Sequence, residues 1–368
     1  MKIKRVAIIT EFLYNFGGIE KSILELTKGL KEKNIEYDIH CGLYDQDKTF
    51  GDFKSMNVNT FTSNKKAAGI HSLWLRWKFS KLKLTGYDGY IFFGFHSIAA
   101  AKHNHPNVIW ETGPLSYLYL GHDAGVKKGI KKTVKDIYLK LLKNIDQRNI
   151  KGVDHIFSLG QWSNRTMTKA YPDKPNEILF QPIDIKKYNV SNKGTYYLSL
   201  TRLKKKVDIV IKAFQKMPDK ELHVYGNGSK EDKKKINELA TGYPNIKIMG
   251  FADEKDLPGI FGNCIAAISI NPNEDFTMVL MEALAAGKPG ISVNPDINTK
   301  EQIVMSKTGI LIKDYSSGDI VNAVKRIDSN NAYVLKQCCI ERAKEFSRDN
   351  YITTILDRLE KNQKVYIV

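Results

Sequence analysis

Residues 264–290 read CIAAISINPNEDFTMVLMEALAAGKPG, and this stretch indicates how the rest of the chain is organised. The apolar run Cys264 to Ile270 predicts a buried strand, and the apolar spacing that follows predicts a helix over 278–286. Gly287 and Pro289 end that helix. Because a helix N-terminus presents free backbone N–H groups and the positive end of the helix dipole, the loop between strand and helix is a predicted anion site.

Two acids flank this predicted helix N-terminus. Glu274 precedes the helix, and Glu282 lies on it about 7 Å beyond Thr277, at about 1.5 Å per residue. A nucleotide sugar has hydroxyl groups at both ends and a diphosphate between them, so two carboxylates with N–H groups between them would suit such a ligand. The alternative interpretation is a capping acid and a solvated helix acid, because acids are common near helix N-termini.

The residues around the two acids resemble a known signature. Asn-Glu-Asp-Phe at 273–276, followed by Glu-Ala-Leu-Ala-Ala-Gly-Lys-Pro at 282–289, is similar to the motif of retaining glycosyltransferases of family 4, especially mannosyltransferase-like members. The resemblance implies the GT-B fold, with Glu274 at the donor sugar and Glu282 at the ribose. The family usually has Gly after the Phe, whereas this chain has Thr277.

Length and composition suit a soluble protein of about two domains, because the chain has 368 residues, 42% hydrophobic and 26% charged. The four cysteines show no metal-ligand spacing and predict reduced thiols in the cytoplasm. No apolar run approaches the roughly 20 residues of a membrane span. The net charge of +17 predicts an anionic partner: nucleic acid, a membrane surface or a phosphorylated substrate.

Alternating strands and helices in the second half predict a doubly wound parallel sheet with its ligand at the carboxyl ends of the strands. The predicted strands are Tyr196–Leu200, Glu221–Tyr225, Ile246–Met249, Cys264–Ile270, Gly290–Val293 and Gly309–Ile312. The predicted helices lie near 207–216, 230–240, 254–261, 278–286, 299–304 and 317–328. The GT-B resemblance implies two such domains facing a cleft. They are an acceptor-side domain at 1–187, joined by a crossover helix at 348–368, and a donor-binding domain at 188–347.

The donor site is predicted from loops that follow strands. Gly17 and Gly18 allow a phosphate to approach backbone N–H groups, although a tight turn would also need glycine. Arg202, with Lys205 or Lys206, would neutralise a diphosphate, while the alternative is a basic surface loop. The predicted donor-binding residues are Gly17, Gly18, Arg202, Lys205, Lys206, Gly226, Asn227, Phe251, Glu274, Phe276, Thr277, Met278, Val279 and Glu282.

On the acceptor side the candidates are Glu111 and His96. Several members of the resembled family have a histidine beside the reacting sugar carbon, and Glu111 occupies that position here. His96 follows a predicted strand and is the other candidate to line the cleft. The predicted catalytic residues are Glu274, Arg202, Lys206 and Glu111. The Asp45-Gln46-Asp47 sequence is interpreted as a turn, so no metal site is predicted.

Two basic segments of the first half suggest contact with an anionic membrane. In residues 70–84 a face with Leu73, Trp74 and Trp77 predicts either a partly buried helix or an interfacial segment. Residues 126–144 predict a helix that packs a stripe containing Ile137 and Leu141 and exposes lysines. The membrane hypothesis places the protein in the cytoplasm, peripheral on the inner face of a membrane, and solubility alone is the alternative.

Together these features predict a retaining glycosyltransferase that moves a hexose from a GDP- or UDP-linked donor to a hydroxyl of a glycan or lipid-linked acceptor. No cofactor or metal is expected, because two cations and a helix terminus already face the phosphates. An epimerase or phosphorylase of the same fold is one alternative. A basic nucleic-acid-binding protein is another, although the expected interleaving of stacking aromatics and basic residues occurs only in 70–84, and nucleic acid is not a predicted partner.

Overall fold

The computed structural model describes residues 2–62, 71–111, 130–191, 194–203, 206–270, 276–293, 302–329 and 332–367. The chain divides into two compact units. The first unit consists of Met1–Pro182 with Tyr351–Val368, and the second is Ile183–Asn350. Each unit is built on one parallel sheet with helices, as the sequence predicted.

In the described part of the first unit, seven parallel strands follow the order β3-β2-β1-β4-β5-β6-β7. They are β1 (Arg5–Leu13), β2 (Glu36–Tyr44), β3 (Val58–Thr62), β4 (Gly89–Phe93), β5 (Asn107–Glu111), β6 (Ile156–Ser158) and β7 (Asn176–Ile178). The helices are Gly18–Glu32, His71–Lys81, Ile130–Ile150 and Gln161–Ala170, with short 3-10 helices at Gly51–Ser55 and Ser97–His103. The central strands β1 and β4 are apolar and buried, because a parallel sheet is covered on both faces.

The described part of the second unit has six parallel strands in the order β10-β9-β8-β11-β12-β13. They are β8 (Tyr196–Leu200), β9 (Leu222–Tyr225), β10 (Ile246–Gly250), β11 (Cys264–Ser269), β12 (Gly290–Val293) and β13 (Gly309–Ile312). The helices are Val207–Phe214, Lys230–Ala240, Leu257–Asn263, Met278–Ala285, Ser317–Ser329 and Ala332–Lys344, with a 3-10 helix at Ile185–Lys187. All six strands predicted for this half are confirmed to within a residue at each end.

Strand order reverses once in each sheet. In the first unit the chain moves outward from β1 to β3 and then returns to place β4 on the other side of β1. In the second unit the same reversal brings β11 beside β8. Ligands of open parallel sheets bind beyond the carboxyl ends of the strands at such a reversal. These two positions are therefore where functional side chains are to be sought.

The C-terminal helix Arg348–Ile367 packs on the first unit from Tyr351 onward, as the predicted fold requires. The ring of Tyr351 meets that of Trp110 edge to face, with centroids 6.1 Å apart. Leu359 packs directly on Gly89, because a Cβ atom added at Gly89 would lie 2.9 Å from the Leu359 Cδ1 atom. The helix thus covers strands β4 and β5 of the first sheet.

Several predicted elements were wrong. Strand β7 was not predicted, and the helix expected near 299–304 is absent at 302–304, which form a turn and an irregular segment.

The apolar faces of two helices were also misassigned. Leu75 and Phe79 are buried on helix His71–Lys81, whereas Leu73 and Trp77 are exposed. On helix Ile130–Ile150, the Ile137 and Leu141 side chains expected to pack are exposed. Among the described residues, no helix is long and apolar enough to cross a membrane.

Candidate active site

The second unit gathers its predicted donor residues at the carboxyl edge of the sheet. Arg202 follows β8, Gly226 and Asn227 follow β9, and Phe251 follows β10. The helix Met278–Ala285 follows β11, the neighbour of β8 at the strand reversal. Glu274 and Lys205 lie outside the described residues. The order of the strands therefore brings Arg202 and the helix N-terminus to adjacent positions.

Thr277 stands where the resembled family has Gly. It is held in place by hydrogen bonds to Gln302 and Ser269. Its N–H donates to Gln302 Oε1 at 3.2 Å, and its carbonyl accepts from Gln302 Nε2 at 3.1 Å. Its hydroxyl lies 3.1 Å from that of Ser269. The backbone φ of −120° is open to any residue, so glycine is not needed here. The Thr277 side chain makes no capping hydrogen bond to the N–H groups at the start of the helix.

Glu282 is a buried acid one helical turn beyond Met278. It is 3% exposed, so the alternative in which it is a solvated helix acid is wrong. The Tyr188 hydroxyl donates a hydrogen bond to its carboxylate, and burial together with this carboxylate raises the pKa of Tyr188. The Tyr188 ring packs edge to face on Phe261, with centroids 5.8 Å apart. A buried carboxylate needs such hydrogen-bond partners, and hydroxyl groups are suitable donors to it.

The two described cations of the predicted site differ in their surroundings. Arg202 is exposed and forms no ion pair or hydrogen bond within the described ranges. Lys206 is the residue before helix Val207–Phe214 and has a left-handed backbone, with φ of 55°. Its Nζ lies 5.8 Å from the centre of the Tyr315 ring. A left-handed conformation costs a non-glycine residue about 1–2 kcal/mol, and such strain concentrates at functional sites.

The loops after β9 and β10 explain the glycine and aromatic positions. The Gly226 N–H donates to the Gly250 carbonyl at 2.7 Å, and a Cβ at Gly226 would lie 1.9 Å from the Thr201 carbonyl oxygen. Only glycine fits this close approach of the two loops. Phe251, directly after Gly250, is 72% exposed. An exposed aromatic ring at the edge where ligands bind offers a stacking surface for a nucleobase.

The glycine loop of the first unit is already occupied by an acid. Gly17 and Gly18 begin helix Gly18–Glu32, and the buried Glu20 carboxylate accepts hydrogen bonds from the N–H groups of Asn15 and Gly17. Burial raises the pKa of Glu20. The Gly18 carbonyl accepts from Gln181 Nε2 at 2.7 Å. A phosphate that approached Gly17 would have to displace the Glu20 carboxylate.

His96 lies at the reversal of the first sheet and is joined there by Glu11, which sequence reasoning missed. Glu11 is near the carboxyl end of β1 and accepts a hydrogen bond from the His96 N–H. Between β4 and His96, Gly94 has φ of +84°, and a Cβ there would lie 2.6 Å from the Glu11 side chain. Burial raises the pKa of Glu11 to about 7, although the His96 N–H and the charge of Arg76 oppose the shift. Glu111 ends β5, and its side chain lies outside the described residues.

Arg76 is the second residue that sequence reasoning missed, because nothing in the sequence distinguishes it from a surface cation. It is 4% exposed, and its Nε donates to His96 Nδ1 at 2.9 Å. Its Nη2 lies 3.7 Å from Asp146 Oδ1, and the Tyr171 hydroxyl donates to Asp146 Oδ2 at 2.6 Å. Burial, and then the charge of Arg76, lower the pKa of His96 to about 3. The imidazole is therefore neutral at physiological pH.

We expect Glu11→Gln to stabilise the first unit at alkaline pH. Glu11 has a folded-state pKa of about 7, above its ordinary 4.5, so its contribution to stability is complete below pH 4.5 and is lost as the pH rises through 7. The glutamine keeps the acceptor for His96 without ionising. The variant should therefore gain about 2 kcal/mol relative to wild type between pH 5 and pH 8.

Urea unfolding followed by tryptophan fluorescence measures this change in the first unit, since Trp74, Trp77, Trp110 and Trp162 all belong to it. Asp52→Asn, which alters an exposed acid of the same unit, is the matched control. An equal difference between Glu11→Gln and wild type at both pH values would contradict the burial of an ionisable Glu11.

A family model and a curated relative match parts of this chain. Residues 180–346 match the model of Glycosyl transferases group 1. The Bacillus subtilis (strain 168) protein "Poly(glycerol-phosphate) alpha-glucosyltransferase" is 24% identical over 181 residues, which are 47% of this chain and 27% of that protein. The chain therefore spans about a quarter of the length of that relative.

Solved structures of similar fold cover nearly the whole chain. Anabaena HepE in complex with UDP has a TM-score of 0.75 at 14% identity, over 97% of this chain and 100% of the other. The lipopolysaccharide outer core galactosyltransferase WaaB has a TM-score of 0.69 at 18% identity, over 99% and 100%. A Staphylococcus aureus TarM variant with fondaparinux, alpha-GlcNAc-glycerol and UDP has 0.68 at 12% identity, over 97% and 100%.

These likenesses show the GT-B fold, which the sequence predicted. The model matched at 180–346 spans most of the second unit, where the strand-edge residues described above lie. The matched family model is that of glycosyl transferases, and the matched relative is named as a glucosyltransferase.

Proposed function

We propose that this protein transfers a hexose, with retention, from a nucleotide sugar to a hydroxyl of a glycan or lipid-linked acceptor. The observation that carries this proposal is the carboxyl edge of the second sheet. Four groups follow neighbouring strands at this edge. They are Arg202, the strained Lys206, the helix N-terminus that Thr277 does not cap, and the buried Glu282. Cations and N–H groups fit a diphosphate, and a buried carboxylate fits ribose hydroxyls.

We infer that the nucleotide is UDP rather than GDP. Anabaena HepE was solved with UDP and with UDP-glucose, and the TarM variant was solved with UDP. The sequence motif alone had favoured mannosyltransferase-like members without separating the two nucleotides. UDP-glucose and UDP-GlcNAc are therefore the first donors to test.

In the proposed reaction the bond between the sugar and the diphosphate breaks on the face that the acceptor hydroxyl approaches. Negative charge grows on the diphosphate, and Arg202, Lys206 and the N–H groups of Met278 and Val279 would stabilise it. One such preorganised donor contributes about 3–4 kcal/mol to transition-state stabilisation. Glu274 would bind the donor sugar, and Glu111 would lie on the acceptor side. We infer that no metal is needed, since these groups can neutralise the diphosphate.

The acceptor is proposed to be anionic or to lie at an anionic surface. The net charge of +17 suits either case. The Bacillus relative is named for a poly(glycerol phosphate) substrate, which is a polyanion.

The first unit also exposes apolar side chains on two helices, Leu73 and Trp77 on one and Ile137 and Leu141 on the other. Both helices pack on the 3-10 helix Ser97–His103. The Lys78 ammonium lies 5.5 Å from the Trp77 ring centre, and Lys140 and Lys143 are exposed on the second helix. Tryptophan and lysine in such proximity are typical of membrane-interface segments. We therefore propose that the exposed apolar and basic side chains of these two helices form a membrane face, which contacts an anionic membrane peripherally.

A donor screen tests the proposed reaction. The wild-type protein is incubated with UDP- and GDP-linked hexoses, with and without poly(glycerol phosphate), and free nucleotide is measured. We expect UDP release from a UDP-hexose, accelerated by the acceptor, and product with the α-configuration retained. Absence of nucleotide release from every donor, with every acceptor, would contradict the proposed transferase activity.

Glu282→Gln should weaken UDP binding about tenfold to a hundredfold. The glutamine keeps an acceptor for Tyr188 but loses the charge that strengthens hydrogen bonds from ribose hydroxyls, each contributing about 1.5–3 kcal/mol. Titration calorimetry with UDP measures the change. The exposed Glu238→Gln on another helix of the same unit is the matched control and should bind like wild type. Equal dissociation constants for wild type and Glu282→Gln would sink the ribose assignment.

Flotation with liposomes of graded anionic-lipid content tests the membrane face. Binding should rise with anionic lipid and fall with salt, because each basic residue near the surface contributes about 1 kcal/mol. Leu73→Ser combined with Trp77→Ser should reduce flotation severalfold, whereas Val365→Ser, which changes an exposed apolar residue elsewhere, should not. A protein that stays at the bottom of the gradient with every lipid at low salt indicates a soluble acceptor.

A further inference from the structure

Two neighbouring strands of the first sheet end beside three polar side chains, of which Arg76 is buried and Glu11 and His96 are partly buried. Strands β1 and β4 flank the point at which strand order reverses. Glu11 lies near the carboxyl end of β1, and His96 follows the end of β4. Arg76 reaches the same point from helix His71–Lys81. The position is where a parallel sheet binds its ligand, so the chemical state of His96 matters for the reaction.

We propose that Arg76 is a positioning residue that holds His96 as the neutral tautomer with its proton on Nε2. His96 then offers an Nε2–H donor to an oxygen atom of the substrate at the reversal of the first sheet. Only the identity of that substrate, a sugar or its acceptor, rests on the proposed glycosyl transfer. The tautomer follows from the contacts of Arg76 alone.

The direction of the Arg76–His96 hydrogen bond fixes the tautomer. An arginine guanidinium is always protonated and can only donate. Its Nε–H lies 2.9 Å from His96 Nδ1, which must therefore accept with a lone pair. A neutral imidazole has one proton, and with Nδ1 as acceptor that proton is on Nε2. Nε2 then has no lone pair, so His96 acts as a hydrogen-bond donor and not as a general base.

Arg76 is itself fixed in place. Its side chain is 4% exposed on the same helix face as Leu75 and Phe79, which are fully buried. The Asp146 carboxylate on helix Ile130–Ile150 lies 3.7 Å from Nη2, and Tyr171 orients that carboxylate by a hydrogen bond. The ion pair keeps the guanidinium in the interior, where an unpaired charge would be very unfavourable.

The backbone of His96 is held independently of its ring. Glu11 accepts the His96 N–H, and the Glu11 side chain occupies the space that a Cβ at Gly94 would need. Arg76 thus sets the ring and Glu11 sets the main chain. Burial and the adjacent guanidinium both disfavour the imidazolium, so the donor tautomer persists over the physiological pH range. A neutral donor stabilises developing negative charge without taking up a proton.

Nitrogen NMR of the full chain labelled with ¹⁵N-histidine tests the tautomer directly. The His96 resonances are assigned by their loss in His96→Gln. At pH 7 we expect the wild-type signals of the Nε2–H tautomer, and the same signals in the control Lys81→Gln, which changes an exposed residue of the Arg76 helix. A proton on Nδ1, or an imidazolium, in the wild type would overturn the proposal.

Arg76→Met combined with Asp146→Asn removes the donor and its buried counter-charge together. We expect the single tautomer of His96 to be replaced by a mixture, while UDP affinity stays within twofold of wild type. If this double variant does not fold, Arg76→Leu combined with Asp146→Leu, which also removes both charges and leaves no donor to Nδ1, is measured instead. An unchanged wild-type tautomer in the variant that folds would show that Arg76 does not set it.

Turnover gives a second readout that a merely structural role would not produce. We expect His96→Ala to lower kcat about a hundredfold with little change in donor KM, and His96→Gln, whose amide can donate near the Nε2 position, to recover part of it. Equal loss in both variants would overturn the donor role. The NMR measurement needs no substrate, so an absence of turnover in the wild type would contradict the transfer reaction and leave the tautomer result decisive.

Discussion

Burial of both faces of a parallel sheet is the constraint on which this protein depends. Strands such as β1, β4 and β11 are apolar along most of their length, and polar side chains are concentrated near the carboxyl ends or just beyond them. In each unit the reversal of strand order opens one place at that edge. The position of the functional side chains in each unit therefore follows from the strand order of its sheet.

Three acids near these edges, buried or partly buried, are stabilised in three different ways. Glu20 folds back on backbone N–H groups of its own helix N-terminus, and Glu282 accepts a phenolic hydrogen bond from Tyr188. Glu11 accepts one backbone N–H, and burial raises its pKa to about 7. An acid held by backbone N–H groups is mainly structural, whereas an acid hydrogen-bonded to a phenol at the predicted ligand edge can also take part in binding. This difference separates Glu282 from Glu20 as a binding residue.

Sequence reasoning predicted the second unit better than the first. Regular alternation of apolar strands and amphipathic helices determines the second sheet, and the motif around Glu282 points to its functional edge. In the first unit, Arg76 resembles any surface cation because its partner Asp146 is 70 positions away in the chain. The apolar face of its helix was misassigned for the same reason, since a buried arginine breaks the hydrophobic period. Glu11 left a readable signal, an acid near the end of a buried strand, together with the glycine in Phe-Gly-Phe-His.

The first unit is discontinuous in sequence, because Tyr351 and the residues after it return to strands formed from the first 182 residues. Trp110 and Gly89 are covered by Tyr351 and Leu359, which lie more than 200 positions later. During synthesis the whole second unit leaves the ribosome before that cover exists. The second unit can therefore mature while the first still exposes part of its core, which makes the early chain a substrate for chaperones.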